Sequence, residues 1–525
     1  MKRIIPYPLF LITAIVLDRV AISTAQIAMG QSLRALLILL LSATIAAFII
    51  QYFIQDRHHT AFIVLMIPVA FVAYRSSFRF LKINFPHQLN ALGIALIIVL
   101  GLLYALVVSR KVWRSIHNPA RITTYLNLVF IVLLGFQVGR LGQDSYHVLT
   151  SIIDPQTTAI TPFGQDLKLK KGSSPDIYVI ILDGYARQDV LQDIYKHDNS
   201  EFIRALEKQG FYVAKDSHSN YVQTPYTMAS FWNLDYLQTW DSSYEYAQYL
   251  YEPIQPNRVF SLLDEIGYTT VSFEQAVYYA EIKNSDVYLS AFLPLNNFET
   301  LLLVDSPLEP LSNIFDLGLP LYTYKTHRQR MLYQLETLKE IPASISGPKI
   351  VYAHIMAPHP PFVFSQNGDI RESEQPYTLA EGTESQGGME EYQNGYQEQV
   401  KFINQEMIKV VDAILKKSES PPVILLMGDH GPASMFQWDP QAPGCLWERT
   451  SNLYAILLPG YENDNPLYPS ISPVNTFRVI FNTYFGTDLP LLEDKSYLMY
   501  WYQPTLKVDI TSVRDTREGC TILGK

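Results

Sequence analysis

The sequence predicts two bodies in series: a multi-span α-helical membrane domain, then an α/β domain with a mostly parallel central sheet. Three observations carry that prediction. The chain of 525 residues is 48% hydrophobic, and long apolar runs crowd residues 1–140. From residue 175 onward, short β-branched runs alternate with segments of helical length, the pattern of a parallel sheet covered on both faces. Several of those short runs end on Asp or His, and ligands of such sheets sit outside the carboxyl ends of the strands.

The membrane domain is read over residues 1–140. Its apolar runs are Ile4–Leu17, Leu36–Ile54, Ala61–Tyr74, Ala91–Val108 and Ile122–Val138. With weakly polar flanks, each approaches the roughly 20 residues that cross a bilayer. A cleaved signal peptide explains only one run, so about five helices are expected. Lys2 and Arg3 precede the first run, and Arg110, Lys111, Arg114 and Arg121 crowd the connection between the fourth and fifth. Basic connections stay cytoplasmic, which puts the N-terminus inside; Arg75, Arg79 and Lys82 run against that assignment. Five crossings then leave the remainder extracytoplasmic, either periplasmic or extracellular.

Residues 141–174 read as a linker ending in "KKGSSP", and residues 175–525 as the extracytoplasmic domain. "DIYVIILDGYA" is a buried strand ending in Asp-Gly, and a helix stopped by Gly210 leads to the strand "FYVA". "NRVFSLLDEIGYTTVSF" reads as helix, glycine stop and strand. "YKTHRQRMLYQLETLKEI" leads to "KIVYAHIM", and "YQEQVKFINQEMIKVVDAILKK" to "PPVILLMGD". "LYAILLPG" is a further strand and "NTFRVIFNTYFG" a late helix. The polar stretch Ser365–Gly395 is a long insertion, read as a lid or, preferably, as a disordered loop.

The net charge of −10, much of it within Asp369–Glu391, argues against a nucleic-acid partner. Cys445 and Cys520 fit neither a zinc knuckle nor a redox pair, and whether they bond to each other is open. Asp183 ends one strand, His354 and His359 lie on or just after another, and Asp429-His430 end a third. Alone, Asp183 is a turn residue and Asp429-His430 a helix cap. Together at one sheet edge they read as a metal site, because converging buried charges need a cation to compensate them. Carboxylates with imidazole suit zinc or manganese. Gly428 and Gly431 would free the backbone to turn both Asp429 and His430 toward one ion.

Thr224 precedes Pro225, the pattern of an N-cap followed by an N1 proline. A helix start offers free N–H groups to phosphate, and a neighbouring metal makes a hydroxyl nucleophilic. Thr227 and Ser230 follow on the same helix as competitors for that role.

"ILDGYAR", "QTPYTMASFWNLDYL", "HIMAPHPPFVF" and "GDHGP", in this order behind several spans, resemble the alkaline phosphatase/sulfatase superfamily. The nearest likeness is to its membrane-anchored branch of lipoteichoic acid synthases and phosphoethanolamine transferases. That resemblance implies a metal held by Asp183, Thr224, Asp429 and His430, with Thr224 as the nucleophile that becomes phosphorylated. It implies that His359 contacts the substrate phosphate or assists the leaving group. His354 is either a second-metal ligand or, preferably, a core histidine. Arg449 falls where the family places a basic residue near the substrate, and reads equally well as a surface ion pair. Neither cysteine lies in the C/S-x-P-x-R segment that sulfatases modify, so sulfate-ester hydrolysis is not expected. Gly184 stands where a two-metal site would have a second Asp, so one divalent metal ion is expected.

The expected function is therefore a metal-dependent phospho-group transferase at the outer membrane face. The donor would be a phospholipid or lipid-linked headgroup, and the acceptor a glycan or lipid. A phosphodiesterase or phosphatase using the same residues is the alternative; a non-catalytic, membrane-tethered binding domain ranks below it. Asp18 and Arg19 are the main charges within the spans, too few to favour a transporter.

Overall fold

The computed structural model describes residues 5–23, 31–84, 91–152, 167, 174–237, 254–255, 257–292, 295, 297–303, 306, 308, 319, 323–439, 443–461, 466–500 and 503–520. The chain divides into two units, Met1–Ala159 with Phe292–Leu321, and Ile160–Ala291 with Tyr322–Lys525.

In the first unit the helices are α1 (Tyr7–Ser23), α2 (Gln31–Ile54), α3 (Arg57–Asn84), α4 (Ala91–Arg114) and α5 (Pro119–Ile152); the last four apolar runs each lie within one of them, and the first enters α1 at Tyr7. Among the described residues, three segments are long and apolar enough to cross a membrane: Ser32–Ile54, Arg57–Phe78 and Pro119–Leu141. The described part of α1, at 17 residues, is one residue short of that measure. Leu37, Leu41 and Phe48 of α2 and Leu128, Val132 and Phe136 of α5 are exposed. Such a density of uncovered apolar side chains suits a lipid environment rather than water. Asp18 of α1 lies 3.6 Å from Arg140 of α5 and accepts a hydrogen bond from Gln137, so this charge within a span is compensated between helices.

Two boundaries differ from the sequence reading. The segment read as linker from residue 141 is helical as far as Ile152, because α5 continues past its apolar stretch; most of the rest of that linker lies outside the described residues. Phe292–Leu321, read as part of the C-terminal domain, groups with the N-terminal helices instead. Within that unit Arg34 of α2 donates to both carboxylate oxygens of Glu299, on the helix Asn297–Leu303.

The second unit is organised by a seven-stranded sheet of β1 (Ile177–Leu182), β2 (Tyr212–Val213), β3 (Thr269–Phe273), β4 (Val287–Leu289), β5 (Lys349–Ile355), β6 (Val423–Met427) and β7 (Tyr454–Leu457). The order is β2-β7-β6-β1-β5-β3-β4, parallel from β6 to β4, with β2 and β7 antiparallel at one edge. The "IYVIIL" of β1 shows why an unbroken apolar run makes a central strand. Tyr178, Ile180 and Leu182 enter one hydrophobic core and Ile177, Val179 and Ile181 the other, all fully buried. Helices α6 (Gln188–Asp193), α7 (Ser200–Lys208) and α8 (Thr224–Asn233) follow β1, and Met389–Lys417 is the longest helix of the unit. A two-stranded ribbon, β8 (Tyr497–Tyr500) and β9 (Gln503–Asp509), closes the chain. Cys445 and Cys520 form a disulfide, with Cα atoms 4.6 Å apart.

Candidate active site

Strand register brings the first two candidates together. Ile181 of β1 pairs with Met427 of β6, and both strands run the same way. Two residues beyond each lie Asp183 and Asp429, so both carboxylates leave the sheet at the same level. Gly184 continues with φ +70°, a conformation that glycine adopts without strain, and its N–H donates to Asp429 Oδ1 at 3.1 Å. The backbone N–H of His430 donates to the same oxygen at 3.0 Å.

Asp183, Asp429 and His430 each offer an atom within 4.8 Å of the others, and all three residues are buried. His430 Nε2 lies 3.4 Å from Asp429 Oδ2 and 3.8 Å from Asp183 Oδ1. Those two carboxylate oxygens are buried without a hydrogen-bond partner. His430 Nδ1 donates to the Gly431 carbonyl at 2.9 Å, which leaves the Nε2 lone pair facing the carboxylates. Two orphaned carboxylate oxygens and an oriented imidazole, all shielded from water, fit a divalent cation of the zinc or manganese kind.

Gly428 and Gly431 serve the pair differently from the sequence expectation. Neither has a positive φ. A Cβ on Gly428 would stand 2.4 Å from the Tyr185 carbonyl oxygen, and one on Gly431 would stand 2.0 Å from that of Glu448. The glycines are there for close backbone approach rather than for turning freedom.

Thr224 opens α8, with Gln223 in the capping position and Pro225 in the first turn. The expectation that Thr224 caps the helix is therefore corrected. Its Oγ1 lies 3.1 Å from His430 Nε2, beside the cation group, instead of folding back on the helix backbone. The other two hydroxyls are committed elsewhere. Thr227 donates to the Tyr221 carbonyl at 3.0 Å and Ser230 to that of Asp235 at 2.8 Å.

His354 is fully buried on β5, and its Nε2 donates to Asp183 Oδ2 at 2.9 Å. It is thus neither a bystander in the core nor directed at a separate ion; it fixes one oxygen of Asp183 and leaves the other toward His430. Burial opposes ionisation of Asp183, but the His359 imidazole and the His354 hydrogen bond outweigh it and bring the carboxyl down to about 2. The backbone N–H of His359 donates to the Asp183 carbonyl at 2.9 Å, and Gln399 holds the His359 carbonyl at 3.0 Å. Burial pulls the His359 imidazole down, yet Asp183 and then Glu381 lift it to about 9.

Arg449 is no surface residue: it is wholly buried. Its Nε donates to the Val222 carbonyl at 2.7 Å, Nη1 donates to that of Gly431 at 3.0 Å, and Nη2 lies 3.3 Å from His430 Nε2. The same guanidinium pairs with both oxygens of Glu381, Nη2 to Oε1 at 3.1 Å and Nη1 to Oε2. Glu381 Oε1 also lies 3.5 Å from His359 Nε2. Burial would raise the Glu381 carboxyl, but Arg449 foremost holds it well below the usual carboxylate range.

Two residues were missed in the sequence. Glu381 sits in the polar insertion, where nothing distinguishes it from its acidic neighbours. His327 lies on the helix Tyr324–Leu338, fully buried, with Nε2 lacking a hydrogen-bond partner. It is near enough to feel the charges of His359 and Asp183; burial and then Arg330 push its pKa well below the ordinary histidine value.

A protein-family model described as sulfatase matches residues 175–449, just over half the chain. No curated protein matches by sequence. Among solved structures, the zinc complex of the periplasmic domain of EcEptC from Escherichia coli aligns at TM-score 0.43 and 12% identity, covering 66% of this chain and 96% of that one. The lipooligosaccharide phosphoethanolamine transferase A from Neisseria meningitidis aligns at 0.40 and 13%, covering 75% and 69%. The phosphonate monoester hydrolase of Agrobacterium radiobacter aligns at 0.39 and 12%, covering 62% and 80%.

Proposed function

The chain belongs to the sulfatase family of enzymes, and from that premise we propose a metal-dependent phospho-group transferase working at the outer face of a membrane. One observation carries the proposal: of the three aliphatic hydroxyls on α8, only that of Thr224 is directed to the Asp183, Asp429 and His430 cluster. Those three side chains, with Thr224 Oγ1, would hold one divalent ion, zinc or manganese. When bound, the ion lowers the pKa of the hydroxyl and neutralises phosphoryl oxygens.

Thr224 Oγ1, without its proton, forms a bond to the phosphorus of a lipid-borne phosphodiester as the bond to the departing alcohol breaks. His359 supplies that alcohol with its proton. The hydroxyl of a glycan or lipid acceptor then attacks the phospho-threonine, His359 takes up its proton, and Thr224 is released as it began. Arg449 receives phosphoryl oxygens through its paired Nη groups. The apolar helices of the first unit support a lipid donor, since anchoring keeps the enzyme beside a substrate confined to the bilayer. The Cys445–Cys520 disulfide supports an extracytoplasmic domain, because such bonds persist in oxidising compartments.

Intact-mass measurement of the purified full chain, metal-loaded and incubated with membrane lipid extract, tests the mechanism. The wild type gains the mass of a phospho-headgroup at Thr224; Thr224→Ala gains none and loses turnover, with its melting temperature preserved. Full activity in Thr224→Ala overturns the mechanism. Turnover that needs no acceptor other than water makes the same residues a phosphodiesterase.

A further inference from the structure

We propose that Glu381 occupies the position of the substrate's phosphoryl group, and that an arriving phosphoryl oxyanion displaces it together with residues 376–386. The inference rests on the proposed role of Arg449 and His359 as the phosphoryl-binding groups. A carboxylate and a phosphoryl group both offer two coplanar oxygens to a guanidinium, so one Arg fork serves either. Glu381 has both oxygens on Arg449 and one of them 3.5 Å from His359 Nε2. The same Arg449 lies 3.3 Å from His430 Nε2, which is 3.1 Å from the Thr224 hydroxyl. The carboxylate therefore holds the donors that a phosphoryl group on Thr224 would use.

The chain around Glu381 is built to give way. Between Arg371 and Gly382 it has no helix or strand. Its start is tied down by Tyr324 Oη, which donates to the Gln375 carbonyl at 2.9 Å, while Gln386 donates to that of Ala380 at 3.0 Å within the segment itself. Gly387 and Gly388, with φ +90° and +104°, separate the segment from the helix Met389–Lys417. Two left-handed glycines in sequence make a pivot that other residues would strain. The middle of the segment is held by the Glu381 carboxylate, by Tyr377 Oη, 3.4 Å from His327 Nδ1, and by Leu379, half-buried against the core.

Physical chemistry makes this an exchange of anions rather than a free opening. Leaving Arg449 buried without a counter-charge is strongly unfavourable. Water therefore does not replace Glu381, whereas a phosphoryl group does. The site stays shut to bulk solvent until a substrate with the right charge arrives.

The test uses the full, zinc-loaded chain in detergent, with inorganic phosphate as probe. Glu381→Gln keeps the size and removes the competing charge, so phosphate binds it about tenfold more tightly than it binds the wild type, measured by calorimetric titration. In the wild type, phosphate increases protease cleavage within residues 372–386. With both proteins folded, the absence of either result overturns the inference. Phosphate bound equally by Glu381→Gln and wild type, with a phospho-adduct still formed on Thr224, overturns it alone. Absence of binding in both proteins and of any adduct overturns the underlying phosphotransfer reading as well. The wild-type cleavage measurement stands even where Glu381→Gln does not accumulate folded.

Discussion

His354 shows how much a single side chain decides here. Sequence leaves it between a core residue and a ligand of a second ion, and the structure gives it a third task, holding Asp183 Oδ2 at 2.9 Å. Partners that orient a metal-binding carboxylate are typically worth roughly 10–100-fold in metal affinity. His354→Ala is accordingly expected to weaken zinc binding by about that factor, read by competition with a chelating dye, while Thr224→Ala keeps the three remaining ligands and loses less. Unchanged zinc affinity in His354→Ala would remove it from the site. Asp183, Asp429 and His430 were legible because they end apolar strands, where a polar residue has no packing reason to be. Glu381 and His327 were not, since an acid in an acidic loop and a histidine on a polar helix look like ordinary solvent-facing residues. The pairing of Glu381 with Arg449 and the burial of His327 come from packing between segments far apart in the chain, which local pattern does not contain.

At the scale of elements, the central strands and most flanking helices were readable from apolar runs and their glycine stops. The helix Met389–Lys417 was placed too late, starting at Tyr396, because "MEEYQNG" reads as the end of the polar, glycine-containing insertion before it. Yet Tyr392 and Gly395 are buried there, and Gly395 leaves room for Phe362: a Cβ would come within 2.3 Å of its ring. The turn after β6 has the same character in backbone form. Gly431→Ala would drive its methyl group into the Glu448 carbonyl, 2.0 Å away, and backbone yields less readily than a side chain. Overpacking of this kind costs on the order of 1–3 kcal/mol or more, and the displaced strand end carries Asp429 and His430 with it. Gly431→Ala should lower both the melting temperature and the zinc content. Gly382→Ala, whose added carbon meets nothing within 4 Å, should change neither. Equal melting temperatures for the two variants would contradict the close-approach account.

For the whole molecule, the question is which side of the membrane holds the catalytic unit, and the disulfide provides a handle on it. Cys445 and Cys520 are 75 residues apart, and closing a loop of that length is worth about 4 kcal/mol in the chain-entropy model. Reduction should therefore lower the melting temperature of the second unit by several degrees. The same bond gives a topological readout. Cys445→Ser breaks the bridge and leaves Cys520, which is partly exposed and near the chain's end, as a free thiol. If the basic end of α4, with Lys111 and Arg114, stays cytoplasmic and the second unit lies outside, a membrane-impermeant maleimide should label Cys520 in intact spheroplasts. The wild type, with both sulfurs bonded, should label only after reduction. Labelling of Cys445→Ser that appears only once the membrane is lysed would put the catalytic unit in the cytoplasm, and with it would fall the case for a donor drawn from the outer leaflet.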